Sequence, residues 1–66
     1  MIKEYVKSLG LNVGDKFIFT SGIFAGDKAV LINPIGFRFI NENGLFIYGK
    51  KTFCQSDIGK TKVKKC

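Results

Sequence analysis

The feature that most restricts this chain is how soon each of its apolar runs is broken. Phe17-Ile18-Phe19-Thr20 stops at Ser21-Gly22, Lys28-Ala29-Val30-Leu31-Ile32 stops at Asn33-Pro34, and Gly36-Phe37-Arg38-Phe39-Ile40 stops at Asn41-Glu42-Asn43-Gly44. Aromatic and β-branched residues suit the pleat of a strand, whereas glycine, proline and Asn-Gly end or turn it. Leu45-Phe46-Ile47-Tyr48 follows the Asn-Gly turn at once, which predicts a hairpin over 36–48. Gly49 ends or bulges that strand, and Lys51-Thr52-Phe53-Cys54 is placed to continue it across the bulge. Lys60-Thr61-Lys62-Val63-Lys64 alternates strictly and reads as a closing strand.

Two short helical segments complete the pattern. Ile2, Tyr5, Val6 and Leu9 stand at i, i+3, i+4 and i+7, one stripe of a two-turn helix with Gly10 at its exit. A helix this short does not persist alone in water, so its stripe must dock on the strands. Ser56-Asp57-Ile58-Gly59 reads as one helical turn, with Ser56 as cap and Gly59 as exit. Short strands with tight turns in so small a chain fit a closed or nearly closed barrel, which also removes exposed strand edges.

At 66 residues the chain is one domain, 1–66, with the helix at 1–10 and the barrel at 14–65. A chain of this length buries only about 60% of the surface it exposes unfolded. Seven Phe and two Tyr within a 45% hydrophobic composition supply a packed globule, but leave little room for a large concave active site. Lys3, Glu4 and Lys7 interrupt the first ten residues, so no signal peptide is expected there, and no run is long enough to span a membrane. A soluble, cytoplasmic protein is expected.

The word Gly-Asp-Lys occurs twice, at 14–16 and 26–28, each time directly before apolar strand residues. A phosphate-cradling loop needs more glycines and a helix behind it. Both copies are therefore corners. Glycine frees the backbone, aspartate bonds the backbone two residues on, and lysine opens the strand with a solvated charge.

Catalytic chemistry has little to work with. There is no His, and Asp15, Asp27 and Asp57 are explained by turn or cap positions. Cys54 lacks a His partner, and two thiols without His cannot complete a tetrahedral zinc site within one chain. No enzyme activity, metal or cofactor is expected, and Cys54 and Cys66 are read as reduced and structurally minor.

The stretch Gly14-Asp15-Lys16-Phe17-Ile18-Phe19-Thr20-Ser21-Gly22-Ile23-Phe24-Ala25-Gly26, followed by Ala29-Val30-Leu31, resembles the KOW motif. That motif belongs to SH3-like barrels of NusG-type elongation factors and of several large-subunit ribosomal proteins. Ile23 stands where the family usually has Pro, and Ala29 where it has Gly. The resemblance covers residues 13–32. It implies a mainly β fold, a small SH3-like five-stranded barrel with a short N-terminal helix, that binds RNA or protein without catalysis. Ser56-Asp57-Ile58-Gly59-Lys60-Thr61 is similar to the closing segment of small accessory proteins of Gram-positive prophages, which implies a free-standing barrel.

Charge points to a polyanionic partner. Arg38, Lys50, Lys51, Lys60, Lys62, Lys64 and Lys65 stand against Glu42 and Asp57 in residues 34–66, a net +5 of the overall +6. Lys60, Lys62 and Lys64 share a face by the two-residue period, about 6.6 Å apart. Arg38, Lys50, Lys51 and Lys65 are candidates to extend the patch. The same lysines also suit edge protection against aggregation. Strand alternation with Phe17, Phe19, Phe37, Phe39, Phe46 and Tyr48 inward leaves Ile18, Ile40 and Ile47 outward, and these, with Phe24, are candidate apolar anchors.

The resulting expectation is a phage- or mobile-element-encoded protein. It docks on a host protein or nucleoprotein complex that handles nucleic acid, a defence nuclease or transcription machinery, as an inhibitor or modulator. The alternative is direct binding of RNA or single-stranded DNA. Monomer and small homo-oligomer both remain compatible with the apolar surplus.

Overall fold

Both Gly-Asp-Lys words open strands, and together they frame one ladder. In the computed structural model, which describes residues 1–47 and 49–66, β1 is Lys16–Ser21 and β2 is Lys28–Leu31. They pair antiparallel with Phe17 opposite Ala29. At one end, the Leu31 N–H donates to the Asp15 carbonyl at 3.0 Å. At the other, the Phe19 N–H donates to the Asp27 carbonyl at 2.9 Å. Gly14 and Gly26 take φ +94° and +93°, a conformation a side chain resists, just before those closing bonds. The Asp15 side chain bonds backwards instead of forwards, its Oδ2 accepting the Asn12 N–H at 2.8 Å.

β3, Gly36–Ile40, pairs antiparallel with β2, and β4, Lys51–Thr52, pairs with β3. β5, Lys62–Lys65, returns to the free side of β1, so the sheet order is β4-β3-β2-β1-β5. β4 and β5 are the two edges. The five strands form one antiparallel sheet that does not close, where a closed or nearly closed barrel was expected. Its hairpin after β3 explains why. The Asn41 side chain accepts the N–H groups of Asn43 and Leu45 at 2.9 and 3.0 Å. These local bonds set a turn at the expense of a regular ladder. Instead of the expected strand at Leu45–Tyr48, an Ile40–Phe46 bridge, an Asn41 N–H to Leu45 carbonyl bond of 2.8 Å and an Ile47 N–H to Phe39 carbonyl bond of 3.3 Å hold the described part of that segment. Tyr48, expected on the inward side, lies outside the described residues. Pairing resumes at β4, which bonds β3 and does not pair with β5.

One side of the sheet carries the core. Phe17, Phe19, Ala29, Leu31, Phe37 and Phe39 alternate onto it and are at most 2% exposed. Phe24 and Phe53 complete a cluster of six rings whose neighbouring centroids lie 4.8 to 6.4 Å apart. Phe53 follows β4, yet its ring stacks on Phe17 of β1 at 6.4 Å. Three strand spacings separate β4 from β1, about 14 Å if flat, so this contact reflects a curled sheet. Helix α1, Ile2–Ser8, seals the curl: Val6 is buried, and Ile2, Tyr5 and Leu9 pack against the same cluster. The Tyr5 hydroxyl donates to the carbonyl of buried Thr61. Burial, then the charge of Asp57, pushes the Tyr5 phenol above its ordinary value, which keeps it a donor.

A 3-10 turn at Gln55–Asp57 precedes β5. Its cap is Cys54 and not Ser56, because Asp57 reaches back to accept the Cys54 N–H at 2.6 Å. That arrangement is the capping box, with its cap two residues earlier than expected.

Candidate functional site

The other side of the sheet holds cations. Residues directly opposed in an antiparallel ladder project to the same side. Pairing therefore lines up Lys64, Ile18, Lys28, Ile40 and Phe46 in one row across β5, β1, β2, β3 and the bridge. Beside it runs a second row of Lys16, Val30 and Arg38. Lys62, two residues before Lys64, faces the same way. Lys16, Lys28, Arg38, Lys62 and Lys64 are all exposed on this outward face.

Their spacing follows from the sheet. Lys28 and Lys64 stand two strands apart, as do Lys16 and Arg38, which is about 10 Å, while neighbouring rows are about 7 Å apart. No strand contains an aspartate or glutamate among the described residues. The ion pairs found there join the Met1 amino group to Glu4 and Lys65 to Asp15, and neither draws on a cation of this face. Like charges held this close without carboxylates between them make a surface that attracts anions. At its margin Asp27 and Glu42 line a shallow cleft of about 410 Å³ with Lys28, Ile40 and Asn41.

Between the cations runs an apolar stripe. Ile18 is half-buried and Ile40 is 8% exposed although it stands outside the core cluster. Ile40 is therefore not an open anchor, because Lys28 and Phe46 flank it in the row. Phe24 is likewise no anchor: its ring lies 5.0 Å from Phe39 and 5.3 Å from Phe19, inside the core. Ile47 is 49% exposed, but its bond to Phe39 sets it opposite a core-facing residue and not on the outward face, a correction to its expected place. Phe46, expected inward, is 52% exposed on the outward face, with the Arg38 guanidinium 4.9 Å from its ring centroid.

The expected basic residues divide. Arg38, Lys62 and Lys64 share the outward face. Lys60 sits in the turn before β5, beside Ile23 and Asp57. Lys51 pairs with Phe37 and lines a hollow with Phe24, Asp27 and Phe39, on the core side of the sheet. Lys50 is exposed outside any strand, and Lys65 is held on Asp15 with its amino group 3.1 Å from Oδ2. Lys16 and Lys28 were missed by sequence reasoning, which assigned them to corners. The signal was present: each lysine immediately precedes the first inward residue of its strand, so alternation turns it outward.

No protein-family model, curated protein or solved structure matches this chain. The site must therefore be read from its own chemistry. Among the described residues, no helix is long and apolar enough to cross a membrane, and no group of three or more His, Cys, Asp or Glu is placed to hold a metal ion. Cys54 and Cys66 are free and exposed.

The Lys65–Asp15 pair ties the end of β5 to the start of β1. The Asn12 N–H first, and Lys65 second, hold the Asp15 carboxyl below the usual carboxylate range. A depressed folded value means stability that is complete above the unfolded pKa, about 3.9, and lost as pH falls through the lower folded value. The difference in urea midpoint between the wild-type chain and Asp15→Asn is thus expected to be constant at neutral pH and to shrink below about pH 4. A difference unaffected by acid contradicts the assignment.

Proposed function

We propose that this protein is a non-catalytic module that binds nucleic acid directly, its outward sheet face engaging backbone phosphates. The observation that carries this reading is the gathering of Lys16, Lys28, Arg38, Lys62 and Lys64 from four strands onto one surface without a strand carboxylate. Lysine and arginine at strand-to-strand spacings match a repeating polyanion better than a single small anion, because no pocket closes around any one of them. The meander β1 to β4, the return of β5 to β1 and the 3-10 turn before the last strand support the SH3-like, KOW-type reading of the fold.

The test is the salt dependence of binding to a fluorescein-labelled single strand. Engagement of five phosphates is expected to give a slope of log K against log salt near −3.5, from about −0.7 per phosphate. Absence of binding to RNA and single-stranded DNA at low salt contradicts the proposal.

A second reading has one observation in its favour. Leu45, Phe46 and Ile47 are 64%, 52% and 49% exposed in one run of chain, an apolar segment that suits docking on a protein surface. On that reading the protein occupies a phosphate-binding or acidic site of a host nucleic-acid-handling complex and modulates it. Failure of every free strand to bind, with retention on such a complex, favours it.

A further inference from the structure

Six of the seven phenylalanines, Phe17, Phe19, Phe24, Phe37, Phe39 and Phe53, join the core cluster, and Phe46 alone does not. Phe46 is 52% exposed, while the other six are drawn into or against the core. Two independent facts place it on the cationic face. It bridges to Ile40, whose side chain alternates outward, and Arg38 from the neighbouring row lies over its ring at 4.9 Å. An aromatic ring open to solvent at the end of a row of cations is the arrangement in which an unpaired base stacks while its phosphates are held.

We propose that Phe46 and Arg38 form a nucleobase-stacking subsite, which makes the outward face selective for single strands. The proposal rests on the reading that this face holds phosphates. Lys28 lies two positions from Phe46 along the row, about 10 Å away, and Arg38 lies closer. A strand held at Lys28 and Arg38 presents its base over Ile40 towards the ring. Arg38 serves both partners: its planar guanidinium contacts a phosphate through N–H donors while its face stacks on the ring or the incoming base. A duplex offers no unstacked base at this position, so it engages the lysines only.

The experiment compares a single strand carrying 2-aminopurine, an abasic strand of the same length and a duplex, each against wild-type protein, Phe46→Leu and Phe46→Trp. Wild type is expected to bind the base-bearing strand about tenfold more tightly than the abasic one, within the range measured for aromatic stacking, and to quench 2-aminopurine. Phe46→Trp retains the preference and the quenching. Phe46→Leu keeps apolar bulk, loses both, and leaves abasic-strand affinity unchanged. Equal binding of base-bearing and abasic strands by wild type, or an unaltered preference in Phe46→Leu, overturns the subsite while leaving phosphate binding intact. Failure of all three nucleic acids to bind overturns both.

Discussion

Phe19→Ala is expected to lower the melting temperature by at least about 12 °C. Phe19 is 1% exposed, and its ring lies 5.2 Å from Phe17, 5.3 Å from both Phe24 and Phe37, 6.1 Å from Phe39 and 6.2 Å from Phe53. It is the hub at which rings from β1, β3, the β1–β2 loop and the segment after β4 meet. Truncating a buried phenylalanine costs about 3–5 kcal/mol through lost transfer energy and the cavity left behind. A domain of this size has a total stability of roughly 3–10 kcal/mol. Each kcal/mol corresponds to about 4–8 °C in a chain this short.

Phe46→Ala is the control, since the same atoms are removed from a ring already half in water. Its expected cost is below about 1 kcal/mol, or a few degrees, because little apolar area is returned to solvent. Differential scanning calorimetry of the two variants measures the contrast. Similar drops for both contradict the division of the phenylalanines between a packed side and an outward side.

Much of the fold can be read from residue order, for identifiable reasons. β1, β2 and β3 alternate, with Phe17 and Phe19, Ala29 and Leu31, and Phe37 and Phe39 two positions apart, so one side has to be buried and the register has little freedom to slip. Both Gly-Asp-Lys corners reappear as the two ends of one ladder. The stripe of α1 was legible because its four apolar residues have nowhere else to go.

What escaped sequence reasoning depended on competition between local and long-range bonds. Leu45–Tyr48 has the composition of a strand, but the Asn41 carboxamide captures two N–H groups in the turn and leaves one bridge to β3. That turn decides which way Phe46 faces, and no alternation count reveals it. Closure is equally invisible in residue order, since it requires the edges β4 and β5 to pair and they do not. The site was only half legible. Tallying charge along the chain places the basic excess after residue 34, whereas antiparallel pairing brings Lys16 and Lys28 beside Arg38 and Lys64. Sequence distance hides a surface that only register assembles.

The second large effect concerns that surface. Replacing Lys16, Lys28 and Lys64 together by Gln is expected to weaken single-strand binding about 100-fold at 0.1 M salt. Each phosphate contact contributes about 0.7 logarithmic units at that concentration through counterion release, so three contribute about 2. The salt slope falls in parallel, from about −3.5 to about −1.4. The three side chains are exposed and outside the core, so folding is expected to survive, and retained melting temperature confirms it.

Net charge alone predicts the same loss from any three lysines, so location has to be separated from total. Lys3→Gln/Lys7→Gln/Lys60→Gln removes an equal charge from α1 and the turn before β5, away from the outward face. Anisotropy titrations of both triple variants against one labelled single strand, at matched salt, are the most direct measurement of whether the sheet face is the site. The expected result is a loss near 100-fold for the Lys16/Lys28/Lys64 variant and no more than a few-fold for the Lys3/Lys7/Lys60 variant. Equal losses in the two variants contradict a localised face and leave only diffuse attraction by a basic protein.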